Sequence, residues 1–271
     1  MYKFIGLLLV VTMTSCFTER IELDYNQDEN KKVIITGWLT DLNEPQIITV
    51  QNTVNYLGNN PADPISDAFV TISDSRQTYE LSHRTDGQYV MPDTWQAIIG
   101  DTYNLVVEYN GNTYTSAHKM RACPEIENFF MEEVNDITET DSVHIYQSIF
   151  SFQEMPGEGD AYYGIDYIEG SIEKDTLFNG QFTNDDFVDG EYFEDVEISD
   201  YDRLFKVGDK VTLDIFSIGY ETSEYLIDVQ TEVFRGGLFD TPPANVRSNI
   251  SGGALGYFIA SGANRQSITV Q

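Results

Sequence analysis

The feature that most constrains this chain is a succession of short segments rich in β-branched and aromatic residues, separated by dipeptides that reverse the chain tightly. VIITGWLT (33–40), QIITVQN (46–52), AFVTIS (68–73), TYELS (78–82), QYVMP (88–92), YNLVVEY (103–109) and TYTSAHKM (113–120) each read as a strand. Asp86-Gly87 and Asn110-Gly111 are hairpin signals, because the favoured two-residue turn needs positive φ at both central positions, which Asp, Asn and Gly tolerate. This density of short strands predicts a β-sandwich over residues 32–121.

Cys123-Pro124 interrupts the pattern, since a proline removes a backbone donor and biases the residue before it. A second, β-rich domain with one helix is expected over 122–271. Its strand-like runs are NFFMEEV (128–134), HIYQSIFSFQE (144–154), AYYGIDYIEG (161–170) and KVTLDIFSI (210–218), with LGYFIAS and SITV closing the chain. The helix is predicted from about Glu221 to Arg235, where Tyr225, Leu226, Val229 and Val233 recur at helical spacing before Gly236-Gly237. Beyond it, Pro242-Pro243 and Gly252-Gly253 dictate a turn-rich path. Phe239 and at least one of Tyr257 and Phe258 are expected in the core of this second domain.

The N-terminus carries an export signal. Lys3 precedes the apolar run from Phe4 to Val11, which ends at Thr14-Ser15-Cys16. A run this short suits a cleaved secretory peptide, because a membrane-spanning helix needs roughly 20 apolar residues. Small residues before a cysteine resemble the bacterial lipobox, in which the cysteine is acylated and the preceding peptide removed. Residues 1–15 are accordingly expected to be a signal peptide, Cys16 the lipidation site, and 16–31 a lipidated acidic tether. The outer membrane, through that lipid anchor, is the expected partner surface, since each buried methylene contributes ~0.8 kcal/mol.

Composition narrows the function classes. Asp and Glu number 45 against 15 Lys and Arg, a net charge of -30, so the basic stripe of a nucleic-acid binder is missing. Hydrophobic residues at 41% supply a sizeable core, which places the acidity on a folded surface. With Cys16 acylated, Cys123 has no partner for an internal disulfide.

Motifs for catalysis are sparse. His83, His118 and His144 lie far apart without metal-ligand spacing and read as ordinary surface or β-face residues. No nucleophile elbow or phosphate loop occurs, and Gly157-Glu158-Gly159 lacks the surrounding βαβ unit of a dinucleotide site. The acidic stretch from Asn184 to Asp202 reads as a solvated loop, because an EF-hand register would put Phe187 and Val196 at ligand positions. Tyr162, Tyr163 and Tyr167 read as half-buried strand residues in preference to a sugar-stacking surface. Neither a catalytic residue, a metal site nor a cofactor is expected.

The block from Gly236 to Phe258, with Gly37-Trp38-Leu39-Thr40, Gly100-Asp101-Thr102-Tyr103, Gly111-Asn112-Thr113-Tyr114-Thr115 and Phe178-Asn179-Gly180, resembles the Bacteroidota lipoprotein family catalogued as domain of unknown function 4249. The resemblance implies an immunoglobulin- or transthyretin-like N-terminal sandwich followed by a β-rich domain with one helix. It also implies a non-enzymatic outer-membrane lipoprotein, exposed on the cell surface, acting as an accessory binding subunit beside a TonB-dependent receptor. The alternative is a structural or assembly subunit of the envelope. Asp141-Ser142-Val143 and Asp175-Thr176-Leu177 resemble the O-glycosylation acceptor of exported proteins in that phylum.

Overall fold

A computed structural model describes residues 31–54, 62–134, 144–157, 161–171, 180–184, 189–198, 204–233 and 246–271. The fold is mainly β, as the strand pattern predicts. The first part contains β1 (Val33–Thr40), β2 (Ile47–Asn52), β3 (Asp63–Pro64), β4 (Phe69–Ser73), β5 (Thr78–Glu80), β6 (Ser82–His83), β7 (Gln88–Val90), β8 (Thr102–Tyr109) and β9 (Asn112–Lys119). One sheet orders β1-β2-β7-β6, with β3 also on β2; the other orders β5-β4-β8-β9. Both turn signals hold: Asp86, Gly87, Asn110 and Gly111 all have positive φ, and the second joins β8 to β9 with Tyr109 opposite Asn112. Strict alternation sends Tyr103, Leu105 and Val107 inward to meet Ile35, Ile48 and Val50 from the facing sheet in one apolar core.

The second part adds β10 (Glu127–Val134), β11 (Ile145–Gln153), β12 (Ala161–Ile168), β13 (Gln181–Asn184), β14 (Tyr192–Glu197), β15 (Lys210–Ser217), α1 (Tyr220–Val233), β16 (Phe258–Ser261) and β17 (Ala263–Thr269). One sheet orders β10-β11-β14 and another β13-β12-β15-β17. Strands β12 and β15 are buried almost end to end on both faces. Tyr162, Leu213 and Ile215 meet Phe150 and Phe152 of the β10-β11-β14 sheet on one side. Tyr163, Ile165 and Phe216 meet Tyr225 and Leu226 of α1 on the other.

Two readings change here. Tyr192–Glu197, inside the acidic stretch expected as a solvated loop, forms β14 and pairs with β11, because Phe193 stacks on Phe152 at 4.8 Å between ring centroids. On α1, Tyr225 and Leu226 are buried and Val229 packs beside them, but Val233 is 51% exposed. Gly236-Gly237, Phe239 and Pro242-Pro243 lie outside the described residues, as do Cys16, the tether before Lys31 and both candidate glycosylation triplets.

The chain from Lys32 to Gln271 forms one compact unit, and its C-terminal segment explains how. Strand β16 pairs parallel with β1, joining the sheet of the first part. Ile35 N donates to Leu255 O at 2.9 Å, and the Asn249 side chain clamps Phe258 through both its backbone groups. Phe258 therefore enters the first sandwich's core while Tyr257 stacks on Tyr225 at 4.2 Å. Both aromatics are buried, and Phe258 serves the N-terminal core and not, as expected, that of its own half. Glycine is required at 256, where φ is +99° and a Cβ would stand 2.1 Å from Ile35 O. After Gly262 the chain crosses to β17, which pairs with β15 in the second part.

Candidate binding site

The loop between β1 and β2 forms one wall of a cleft, and a buried glutamine shapes it. Gln46 Oε1 accepts from Thr40 N at 2.7 Å, while its Nε2 donates to Leu42 O and Glu44 O at 3.3 and 2.9 Å. An amide that satisfies the polar groups of a tight loop from within fixes its path. The facing wall is the irregular stretch after β7. It is tied to the first by Met91 N donating to Gln46 O at 3.0 Å, and closed by Trp95 N donating to Pro92 O at 2.9 Å. The Trp95 ring packs edge-on against Tyr103, 5.8 Å between centroids, and Tyr103 Oη accepts from Ile98 N at 2.6 Å. Between these walls lies a cleft of about 630 Å³, lined among others by Asn43, Glu44, Asp93, Trp95 and Gln96. Ligand sites typically span roughly 300–1,000 Å³.

Two carboxylates of the first wall are held by the second half of the chain. Asp41 Oδ1 accepts from Ala263 N at 2.8 Å. Arg265 on β17 donates through Nη1 to Glu44 Oε2 at 3.1 Å, and through Nε and Nη2 to the two oxygens of Asp214 at 2.5 and 2.7 Å. Asp214 is fully buried on β15, and Tyr167 Oη donates to it at 3.1 Å. The bidentate fork matches the carboxylate plane, which is what allows a charge at that depth. Its hydrogen bonds to Asp214 hold the Arg265 guanidinium protonated beyond its ordinary range, despite burial. Burial, and then the Asp214 charge, pushes the Tyr167 phenol well above its ordinary value.

Other buried and half-buried polar groups act as fasteners. Glu154 accepts from Tyr162 Oη at 2.8 Å and from Gly190 N, tying the end of β11 to the approach of β14. Burial and the Glu154 hydrogen bond both raise the Tyr162 phenol pKa. His118 on β9 faces Ala260 O at 2.9 Å through Nδ1 and Thr222 Oγ1 at 3.0 Å through Nε2, and burial lowers its pKa. The Cys123 thiol donates to Ile215 O at 3.3 Å, and burial pushes its pKa far above the reactive range.

The three histidines stay apart. His83 is exposed beside Tyr89, His118 is half-buried, and His144 pairs with Glu133 at the surface. Among the described residues no three His, Cys, Asp or Glu side chains are grouped to hold a metal ion, and no helix is long and apolar enough to cross a membrane. Tyr162, Tyr163 and Tyr167 are core residues, at most 5% exposed, and more deeply buried than their pattern predicts. Sequence reasoning missed Gln46, Asp93, Trp95, Gln96 and Arg265. The available signal was one of only two tryptophans, set in a polar connection between strands, where it packs on the edge of the first core and borders the cleft.

The family model described as Domain of unknown function (DUF4249) matches residues 18–267. The chain belongs to this family. No curated protein matches it. In this DUF4249 protein the match takes in both walls of the cleft and the strand that carries Arg265.

Proposed function

We propose that this DUF4249 protein is a lipid-anchored outer-membrane lipoprotein that binds a ligand without transforming it, as an accessory subunit for TonB-dependent nutrient uptake. The observation that carries this reading is the cleft itself. Its walls are fixed by internal hydrogen bonds through Gln46, Asp41 and Glu44 before any ligand arrives, and preorganisation of that kind lowers the ordering cost of binding. Elsewhere the buried Glu154 and Asp214 and the half-buried His118 and Cys123 are engaged in holding strands together. The apolar run ending at Cys16 supports export and acylation, and the acidic residues after it support a tether that holds the domain clear of the bilayer.

Co-purification from native membranes tests the assignment. The wild-type lipoprotein is expected to bring down a TonB-dependent receptor. Cys16→Ser is expected to abolish fatty-acid labelling and release the protein from the membrane. Recovery of envelope-assembly machinery in place of a receptor would favour a structural subunit. Equal membrane retention of Cys16→Ser would overturn the anchor.

A further inference from the structure

We propose that the cleft takes a saccharide, whose ring lies against Trp95 and whose hydroxyls exchange hydrogen bonds with Asn43, Asp93 and Gln96. The proposal rests on reading the cleft as the binding site and names its ligand class. Asp41 and Glu44 also line the cleft, but their carboxylates are committed to Ala263 N and Arg265, and the Gln46 amide is consumed by its own loop. Among the described residues, the lining side chains of Asn43, Asp93 and Gln96 carry no hydrogen bond within the chain. One carboxylate and two amides offer acceptors and donors together, which suits neighbouring hydroxyls that each do both. A compact cation would instead need several carboxylates turned on one point, and no such group exists among the described residues.

Trp95 supplies the apolar half of the recognition. Its Nε1 is buried and without a partner, so what the indole can offer the cleft is carbon. The C–H face of a pyranose ring packs on such a surface while its rim stays polar, the same division between apolar body and wet edge that suits tryptophan to interfaces. Tyr103 holds the ring and Pro92 O holds its backbone, so the platform is in place before a ligand arrives. A cleft of about 630 Å³ has room for a short saccharide.

The test uses the full mature protein in detergent, titrated with neutral α-glucan, β-glucan, mannan and xylan oligosaccharides, and in parallel with spermine and oligolysine. Trp38→Phe leaves Trp95 as the only tryptophan reporter. At least one oligosaccharide is expected to change Trp95 emission, with an affinity that does not move between low and high salt. The double variant Asp93→Ala/Gln96→Ala should weaken it at least tenfold. Both residues are exposed, so this variant keeps its fold, which circular dichroism checks. Trp95→Ala, which lacks the reporter and is therefore followed by titration calorimetry, should remove binding altogether. The absence of any saccharide response, a response undiminished in the double variant, or a salt-sensitive response to oligolysine alone would each overturn the proposal. If a receptor still co-purifies while no saccharide binds, the ligand class falls and the accessory-subunit reading stands; if both fail, both fall.

Discussion

The two halves of this protein build cores by different means. In the first, each strand alternates: β8 sends Tyr103, Leu105 and Val107 inward and leaves Thr102, Asn104 and Glu108 exposed. A sheet with one wet face can place its polar residues there; the wholly buried polar residues of this half are uncharged Thr40, Gln46 and Ser116, and the enclosed Asp74 carboxylate meets a part-exposed Arg76. In the second, β12 and β15 are covered on both faces, so apart from Lys210 at the start of β15 their polar side chains are taken out of water. The acidic residues buried as a whole, Glu154, Asp166 and Asp214, belong to this half. Local change in an apolar, one-faced core costs burial and packing, whereas a sheet covered on two sides depends also on each buried charge keeping its partner.

Phe258→Ala is the sharpest way to break the contrast. The residue is fully buried in the first core although it lies near the C-terminus, and truncating a buried aromatic costs roughly 3–5 kcal/mol. Because β16 and β17 join both halves, chemical denaturation should show one transition displaced as a whole. Two transitions, with only the first displaced, would mean that the halves unfold independently.

Arg265→Met asks whether the second half depends on paired charge. Breaking a buried pair leaves Asp214 uncompensated, and the loss is expected near the low end of that class, about 3 kcal/mol, because Arg265 is 29% exposed. The variant should also loosen the Glu44 wall and weaken ligand binding. A stability within about 0.5 kcal/mol of wild type, the range of an ordinary surface substitution, would show that Tyr167 alone satisfies the carboxylate.

The smallest effect concerns His118, which joins β9 to α1 and β16. Burial lowers its pKa, so the folded chain takes up the proton at lower pH than the unfolded chain, whose imidazole titrates near about 6.5. Between those two points the unfolded state binds more protons. Stability should therefore fall as pH falls from about 6.5, by at most about 1.4 kcal/mol per pH unit, and be fully present above it. His118→Gln should flatten that slope in denaturation curves taken between pH 7 and 5.5; an unchanged slope would assign it to other groups.

Most strands of the first half were legible because alternation and Asn-Gly or Asp-Gly turns are local signals. Strand β14 was not, since Tyr192–Glu197 reads as acidic loop until Phe193 finds Phe152. The cleft was equally hidden. Asn43 and Gln96 are unremarkable polar residues in connections, and only their meeting across Gln46 and Met91 makes a site.

By itself the sequence determined the β class, the hairpins, helix α1 and the apolar run before Cys16, because periodicity, turn chemistry and hydrophobic length act over a few residues. Tertiary structure alone decided that Phe258 fills the N-terminal core, that Arg265 meets Asp214 and Glu44, and that β16 lies parallel to β1. These contacts join residues more than fifty, and some more than two hundred, positions apart. No local pattern encodes such partners; they are selected by the free energy of burying surfaces and charges that only the folded chain brings together.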